Sequence, residues 1–238
     1  MNKEKYFAVW YKTSGSDTLQ HKKMYLPYEE CEKICKQEGY TYYNIADLST
    51  YKAMDLHILT DVVHFDDKYY FPEEQIPYPT SQPEIMRDFQ SKITLENNFY
   101  YDDVDYQYIY NDVKMGETFY TSVDIEFILP DKSIKIGLLA QTFIIDFKKF
   151  LENFEKNDYA VYQNEEFSPF TWIAWSKDDR VRLIHQDYRS VNVEICFDVL
   201  LDKEWFMHFC YNLLDSITQY AEDDLKHYNE WKRKNNLI

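Results

Sequence analysis

The second half of the chain carries a regular succession of strand and helix patterns, which narrows the possible folds more than any other feature. Residues 119–129 alternate between apolar and polar side chains, Pro130-Asp-Lys132 has turn composition, and residues 133–139 alternate again. These segments predict a β-hairpin. Further strands are predicted at residues 159–163, 170–175, 180–187 and 191–200.

Two helices complete this pattern. Five apolar residues recur at helical spacing and predict an amphipathic helix: Phe143, Phe147, Phe150, Leu151 and Phe154. Asp202 is a suitable N-cap for a long closing helix, whose apolar stripe comprises Phe206, Phe209, Cys210, Leu213, Leu214, Ile217, Tyr220, Ala221 and Leu225. The order of elements predicts an α+β fold, in which helices pack on one face of an antiparallel sheet and a long helix ends the chain.

The first part of the chain predicts a smaller α/β lobe. Strands are expected at residues 5–12 and 40–45, with a helix between them that has Pro27 in its first turn and ends at Gly39. Helices are also predicted at residues 48–63 and 84–97, separated by a proline-rich loop or boundary at residues 66–83. We therefore expect an N-terminal lobe at 1–95, an acidic tyrosine-rich connecting segment at 96–117, and a C-terminal α+β domain at 118–238.

The segment from Glu96 to Asp131 carries nine carboxylates and one base, Lys114, and so holds half of the net charge of −16. Five tyrosines lie between Phe99 and Asp112. The segment is either a solvated loop or charge-protected strand edge, or a surface that binds a basic partner through its rings and carboxylates. The residues proposed to contact such a partner are Tyr101, Asp102, Asp103, Asp105, Tyr106, Tyr108, Tyr110 and Asp112.

Charge and composition exclude several classes of function. With 45% hydrophobic residues the chain is expected to fold, whereas a pI near 4.7 argues against direct binding to nucleic acid or to an anionic membrane. The first eleven residues are too charged for a signal peptide, and no apolar run approaches the ~18 residues of a membrane span. A cytoplasmic protein with a basic protein partner is the expectation.

The motif search predicts no cofactor and no catalytic site. The four glycines are too far apart for a phosphate-binding loop or a dinucleotide fingerprint. Cys31, Cys35, Cys196 and Cys210 are expected to be reduced, buried thiols, although the first two would also suit a metal site. Other open alternatives are a metal site on a helix carrying His57, Asp61 and His64, and a calcium loop within the acidic segment.

A polar group of strand residues offers an enzymatic alternative. His185 and Asp187 share one face of a predicted strand, and Arg180 and Arg182 also share a face. An exposed sheet face with mixed charges is the favoured interpretation. The alternative is a carboxylate- or metal-dependent hydrolase, with its site around His185 and Asp187 or within the acidic segment. The aromatic run 170–175, with Trp172 and Trp175, is expected to fill the core.

Five segments resemble the layout of small cytoplasmic immunity proteins of bacterial toxin systems: Phe147–Phe154, Trp172–Trp175, Arg180–Leu183, Val193–Phe197 and Asp202–Phe206. The resemblance implies a non-enzymatic inhibitor that binds a cognate toxin domain or nuclease and blocks its active site or substrate path. It transfers no catalytic residue. A phage-encoded inhibitor of a host defence nuclease has a similar composition, and a structural subunit of a larger assembly remains a third class.

Overall fold

The computed structural model describes residues 7–12, 20–24, 28–39, 42–47, 63–66, 68–70, 74–86, 89–95, 103–115, 119–164, 169–188 and 193–238. Contacts divide the chain into two compact units, 1–74 with 190–193, and 75–189 with 194–238. The division lies within the loop or boundary predicted at 66–83. It differs from the expected lobe boundary at residue 95, because residues 90–95 form a strand of the second unit.

The first unit contains a three-stranded antiparallel sheet. Its central strand is β1 (Phe7–Lys12), flanked by β2 (Gln20–Met24) and β3 (Tyr42–Asp47). The helix α1 (Tyr28–Gln37) ends before Gly39, whose φ of 67° lies in the left-handed region that favours glycine. A short hairpin joins β4 (Val63–Phe65) to β5 (Lys68–Tyr70). The helix and the two predicted strands are confirmed.

The described residues of the second unit form two sheets. The larger has the order β10-β11-β12-β13-β6, and the smaller has the order β7-β8-β9. Their strands are β6 (Glu84–Ile85), β7 (Gln90–Leu95), β8 (Ser122–Ile128), β9 (Ser133–Leu139), β10 (Tyr159–Asn164), β11 (Phe170–Lys177), β12 (Arg180–Asp187) and β13 (Glu194–Asp202). All pairs are antiparallel except β6 with β13.

The helix predicted at residues 84–97 is wrong, since this segment forms β6 and β7. The reason is visible in the register of β7, where Ile93 lies opposite Ile125 and Lys92 lies opposite Glu126. Apolar residues therefore face the core and charged residues face away, with the period of a strand.

The described part of the second unit includes three helices: α2 (Asp103–Lys114), α3 (Ala140–Asn157) and α4 (Lys203–Lys234). The predicted N-cap of α4 is confirmed, because a side-chain oxygen of Asp202 accepts from the Trp205 amide at 3.1 Å. The aromatic stripe of α3 packs against both neighbours, with Phe147 at 5.8 Å from Trp172 and Phe154 at 5.3 Å from Phe206, measured between ring centroids. The α+β class is thus confirmed, with long C-terminal helix α4.

The apolar stripe of α4 follows the prediction only as far as Ala221. Leu225 is 43% exposed, and the buried row continues instead through Asp224, Tyr228 and Trp231. Steps of three, four and three residues after Ala221 keep these side chains on the same face of the helix.

Three of the four predicted buried thiols are confirmed. Cys31, Cys35 and Cys210 are buried and Cys196 is half-buried, and all four are free thiols. Burial raises the pKa of Cys210 well above its ordinary value. Among the described residues no helix combines the length and apolar character that crossing a membrane requires.

Candidate functional site

The acidic tyrosine segment forms the helix α2 over Asp103–Lys114. Neither glycine nor proline interrupts residues 103–114, and Lys114 in the last turn suits the negative end of the helix dipole. Tyr101 and Asp102 lie outside the described residues, while Asp103 and Asp105 belong to the first turn. Helical spacing then separates the remaining predicted contact residues into two faces.

The inner face of α2 packs on the end of α4. The ring centroid of Tyr106 lies 5.8 Å from that of Tyr228 and 5.7 Å from that of Trp231. Tyr110 contacts Trp231 at 6.2 Å, and Phe119 stacks on Tyr228 at 4.8 Å. We call these five residues the aromatic cluster. Such ring pairs contribute about 0.5–1.5 kcal/mol each beyond the burial of apolar area.

Ring packing holds the aromatic cluster together. Within the described residues, neither the Tyr228 hydroxyl nor the Trp231 indole N–H has a hydrogen-bond partner, although both atoms are buried. Burial, with a smaller effect of Tyr110, raises the pKa of the Tyr228 phenol.

The outer face of α2 carries two large exposed side chains, Tyr108 and Met115, with the carboxylate of Asp112 between them in sequence. Tyr108 is 67% exposed and Met115 is 76% exposed. Asp112 is exposed at a position four residues after Tyr108, and the amide of Gln107 donates to the Asn111 side chain at 3.2 Å. Tyr108, Asn111, Asp112 and Met115 have the spacing of one helix face, which we call the outer α2 face.

The structure thus separates the predicted contact residues. Tyr106 is 4% exposed and Tyr110 is half-buried, so their rings serve the aromatic cluster in this conformation. Tyr108 and Asp112 are accessible to a partner. Met115 was not among the predicted residues, and only the helix assignment places it with Tyr108.

A buried carboxylate lies next to the aromatic cluster. Asp224 is 4% exposed and accepts from the Thr121 hydroxyl at 2.8 Å, while its Oδ1 has no partner among the described residues. Gln141 at the start of α3 accepts from the Thr121 amide at 2.9 Å. Burial raises the pKa of Asp224, and the hydrogen bond from Thr121 and the proximity of His227 oppose the rise. This group ties the start of β8 to α3 and α4.

The expected exposed sheet face at Arg182 and His185 is wrong, because both side chains are 0% exposed. The His185 Nδ1 accepts from the Trp172 indole at 2.7 Å, and its ring stacks between Phe170 and Phe197 at centroid distances of 5.0 and 5.1 Å. Asp187 is 7% exposed. Trp172 and Trp175 are buried, which confirms their expected place in the core.

Arg182 is buried because the segment 75–83 lies over it. Its guanidinium binds both carboxylate oxygens of Asp198, at 2.8 and 2.5 Å, and donates to the carbonyls of Pro79 and Ser81 at 2.9 Å. The Trp175 indole donates to the Ile76 carbonyl at 2.7 Å. These polar groups hold the proline-rich segment on the larger sheet, so they have a structural role. Arg180, two residues away on β12, is exposed.

The described residues provide no support for the predicted metal sites. Among these residues, no group of three or more His, Cys, Asp or Glu side chains is arranged to hold an ion. His57 and Asp61 lie outside those residues, as does most of the helix predicted at 48–63. His64 belongs to the strand β4.

No protein-family model, curated protein or solved structure matches this chain. The arguments for function therefore come from its own residues.

Proposed function

We propose that this chain is an acidic, cytoplasmic protein-binding inhibitor that neutralises a basic partner, either a toxin domain or another enzyme that acts on nucleic acid, as immunity proteins do. The observation that carries the proposal is the outer α2 face. It presents Tyr108 and Met115 to solvent, 67% and 76% exposed, within a segment that holds half of the net negative charge.

The spacing of this face suits helix recognition. Tyr108 and Met115 lie two turns apart, and Asn111 and Asp112 lie between them on the same side. Helices that dock into a groove on a partner use anchors with this spacing. Tyrosine and methionine are enriched at interfaces, because they supply large contact areas.

Charge adds rate and orientation to this contact. The net charge of −16 attracts a cationic surface and increases association rates by about 10 to 1000-fold at low salt. Exposed ion pairs contribute little affinity on their own, so the two anchors supply most of the short-range energy. A hydrolase that used His185 would require access to this side chain, which is fully buried. The same alternative within the acidic segment is distinguished by a metal assay on the purified chain, in which tight stoichiometric metal would favour the enzyme.

The test places a photo-reactive amino acid at position 108 in cells that produce the chain. Position 153, occupied by the exposed Asn153 on α3, is the matched control. We expect an adduct with a protein of high pI at position 108 and none at position 153. The captured protein should lose its enzymatic activity when an equimolar amount of the unmodified chain is added.

Three results would overturn the proposal: no adduct at position 108, the same adduct at both positions, or a captured protein that stays fully active. A Tyr108→Ala, Met115→Ala variant tests the same face without a label. It should fold normally, since both side chains are exposed, and should bind the captured protein at least tenfold more weakly.

A further inference from the structure

A cleft separates the edge strand β7 from the helix α4. It has a volume of about 440 Å³, within the size range of small binding sites. Its floor is a row of apolar side chains on α4, Trp205, Phe209 and Leu213. The next row along the helix, which includes His208 and Asn212, forms the rim, so the cleft combines an aromatic base with polar walls.

The opposite wall of the cleft is the backbone of β7. This strand lies at the edge of its sheet, where β8 is its partner within the described part of the chain. The Tyr220 hydroxyl, on the α4 side, donates to the carbonyl of Ile93 at 3.4 Å, so this carbonyl points toward α4 and the cleft. An added strand would replace this long hydrogen bond. Because peptide groups alternate in direction along an antiparallel strand, the backbone groups of Ser91 also point there.

The dimensions suit an extended chain. From Trp205 to Ser216, α4 extends about 16 Å, the length of about five residues in a β-strand. An edge strand with backbone groups directed into a cleft is the arrangement to which proteins add a foreign strand.

The charges beside the cleft identify the occupant. Glu204, Asp215 and Glu222 are exposed on α4, and their spacing from His208 places them along the same side of the helix as the rim. An added strand would direct every second side chain toward one face. Lysine or arginine at those positions would meet this acidic row, whereas a second copy of this chain would bring a further charge of −16.

We infer that the cleft between β7 and α4 binds an extended, lysine- or arginine-bearing segment of a protein, which adds to β7 as a fourth strand of the smaller sheet. The inference goes beyond the proposed function, because the acidic row on α4 sets the basic character of the segment. The cleft forms a second contact, distinct from the outer α2 face.

The experiment uses the full chain and the synthetic peptide Lys-Val-Lys-Ile-Lys-Val-Lys, with Glu in place of Lys as the control. Nuclear magnetic resonance should show slower hydrogen exchange of the Ser91 and Ile93 amides when the basic peptide binds, and no binding of the acidic peptide. Alternate N–H groups of an added strand face β7, and the others face away from it. Methylating the nitrogens of the first set should abolish binding, whereas methylating those of the second set should preserve it.

A charge variant tests the acidic row. Asp215→Lys with Glu222→Lys should weaken peptide binding about tenfold. Asp131→Lys with Glu152→Lys changes the net charge equally, but at the turn between β8 and β9 and on α3, and should leave binding nearly unchanged.

The inference is overturned if the basic peptide fails to bind, if both methylation patterns bind equally, or if the two charge variants weaken binding alike. Binding by an uncharged analogue with the same strength would also refute it, because the acidic row would then play no part. These results leave the crosslinking test at position 108 unaffected, so failure here and failure of the proposed function are distinguishable.

Discussion

Tyr106 and Tyr108 are two residues apart on α2, and substituting each by alanine should have opposite consequences. Tyr106 is 4% exposed and contacts Tyr228 and Trp231 at 5.8 and 5.7 Å between centroids, whereas Tyr108 is 67% exposed. Truncating a buried aromatic ring costs about 3–5 kcal/mol. Truncating an exposed one usually changes stability by less than about 0.5 kcal/mol.

The cost of Tyr106→Ala should appear as local opening of α2. The aromatic cluster is separate from the main hydrophobic core around α3, so its loss need not unfold the second unit. A loss of about 3 kcal/mol corresponds to faster amide exchange by about two orders of magnitude. Tyr108→Ala should change exchange by no more than about threefold.

The assay is native-state hydrogen exchange of residues 103–114, with α3 at residues 140–157 as an internal reference. Equal acceleration of α2 by both substitutions would refute the division into inner and outer faces. Unchanged exchange in Tyr106→Ala would show that the aromatic cluster does not hold the helix.

Three further predictions concern charged groups. Asp198→Ala leaves the fully buried Arg182 guanidinium without its carboxylate, and should therefore lower the free energy of unfolding by about 3–5 kcal/mol. A urea titration that showed a loss of about 1 kcal/mol or less would indicate an exposed ion pair. Burial raises the folded-state pKa of Asp224 above the ordinary 3.8, so the stability contributed by its protonated form is fully present below pH 3.8 and is lost as pH rises through the folded pKa. Asp224→Asn should remove this pH dependence from the free energy of unfolding. An unchanged pH dependence in the variant would contradict the role of burial. The hydrogen bond from Lys203 and the charge of its ammonium lower the pKa of Asp158. Lys203→Ala should return this pKa toward 3.8 in a carboxyl titration followed by nuclear magnetic resonance. An unchanged pKa in the variant would show that the ion pair is not maintained in solution.

The strand and helix order of the C-terminal half could be predicted because local patterns there agree with burial. Phe143, Phe147 and Phe150 have helical spacing and all three are buried. The strand β2 was missed because Gln20-His-Lys-Lys-Met24 reads as polar, and it lies at a sheet edge where charged residues are favourable.

The site was predictable only in part. The acidic tyrosine segment was expected to be a connecting surface, but its division into faces depends on Tyr228 and Trp231, which lie more than a hundred residues later. Their row passes through Asp224, whose charge masked the continuation of the apolar stripe. A helical reading of residues 103–114 would have placed Tyr108 with Asp112 and Met115.

Arg182 and His185 were misplaced for a different reason. Charged and polar residues on a strand usually face solvent, but both faces of β12 are covered, and its burial extends from Val181 to Asp187. The covering segment contacts Arg182 through the backbone carbonyls of Pro79 and Ser81. Because every residue has a backbone carbonyl, the sequence does not indicate which carbonyls accept from Arg182. This contact could therefore be identified only from the structure.

The most direct test of the proposed function is the association rate of the chain with the basic protein captured at position 108, measured by stopped flow at low and high salt. A variant with Asp103, Asp105 and Asp112 replaced by lysine is compared with a control in which Glu84, Glu152 and Glu194, three exposed carboxylates outside the acidic segment, are replaced by lysine. We expect the rate to fall at least tenfold in the first variant at low salt, and much less in the control, because steering depends on charge near the contact. Equal rates in the two variants, or a rate insensitive to salt, would contradict an acidic α2 segment that binds a cationic protein.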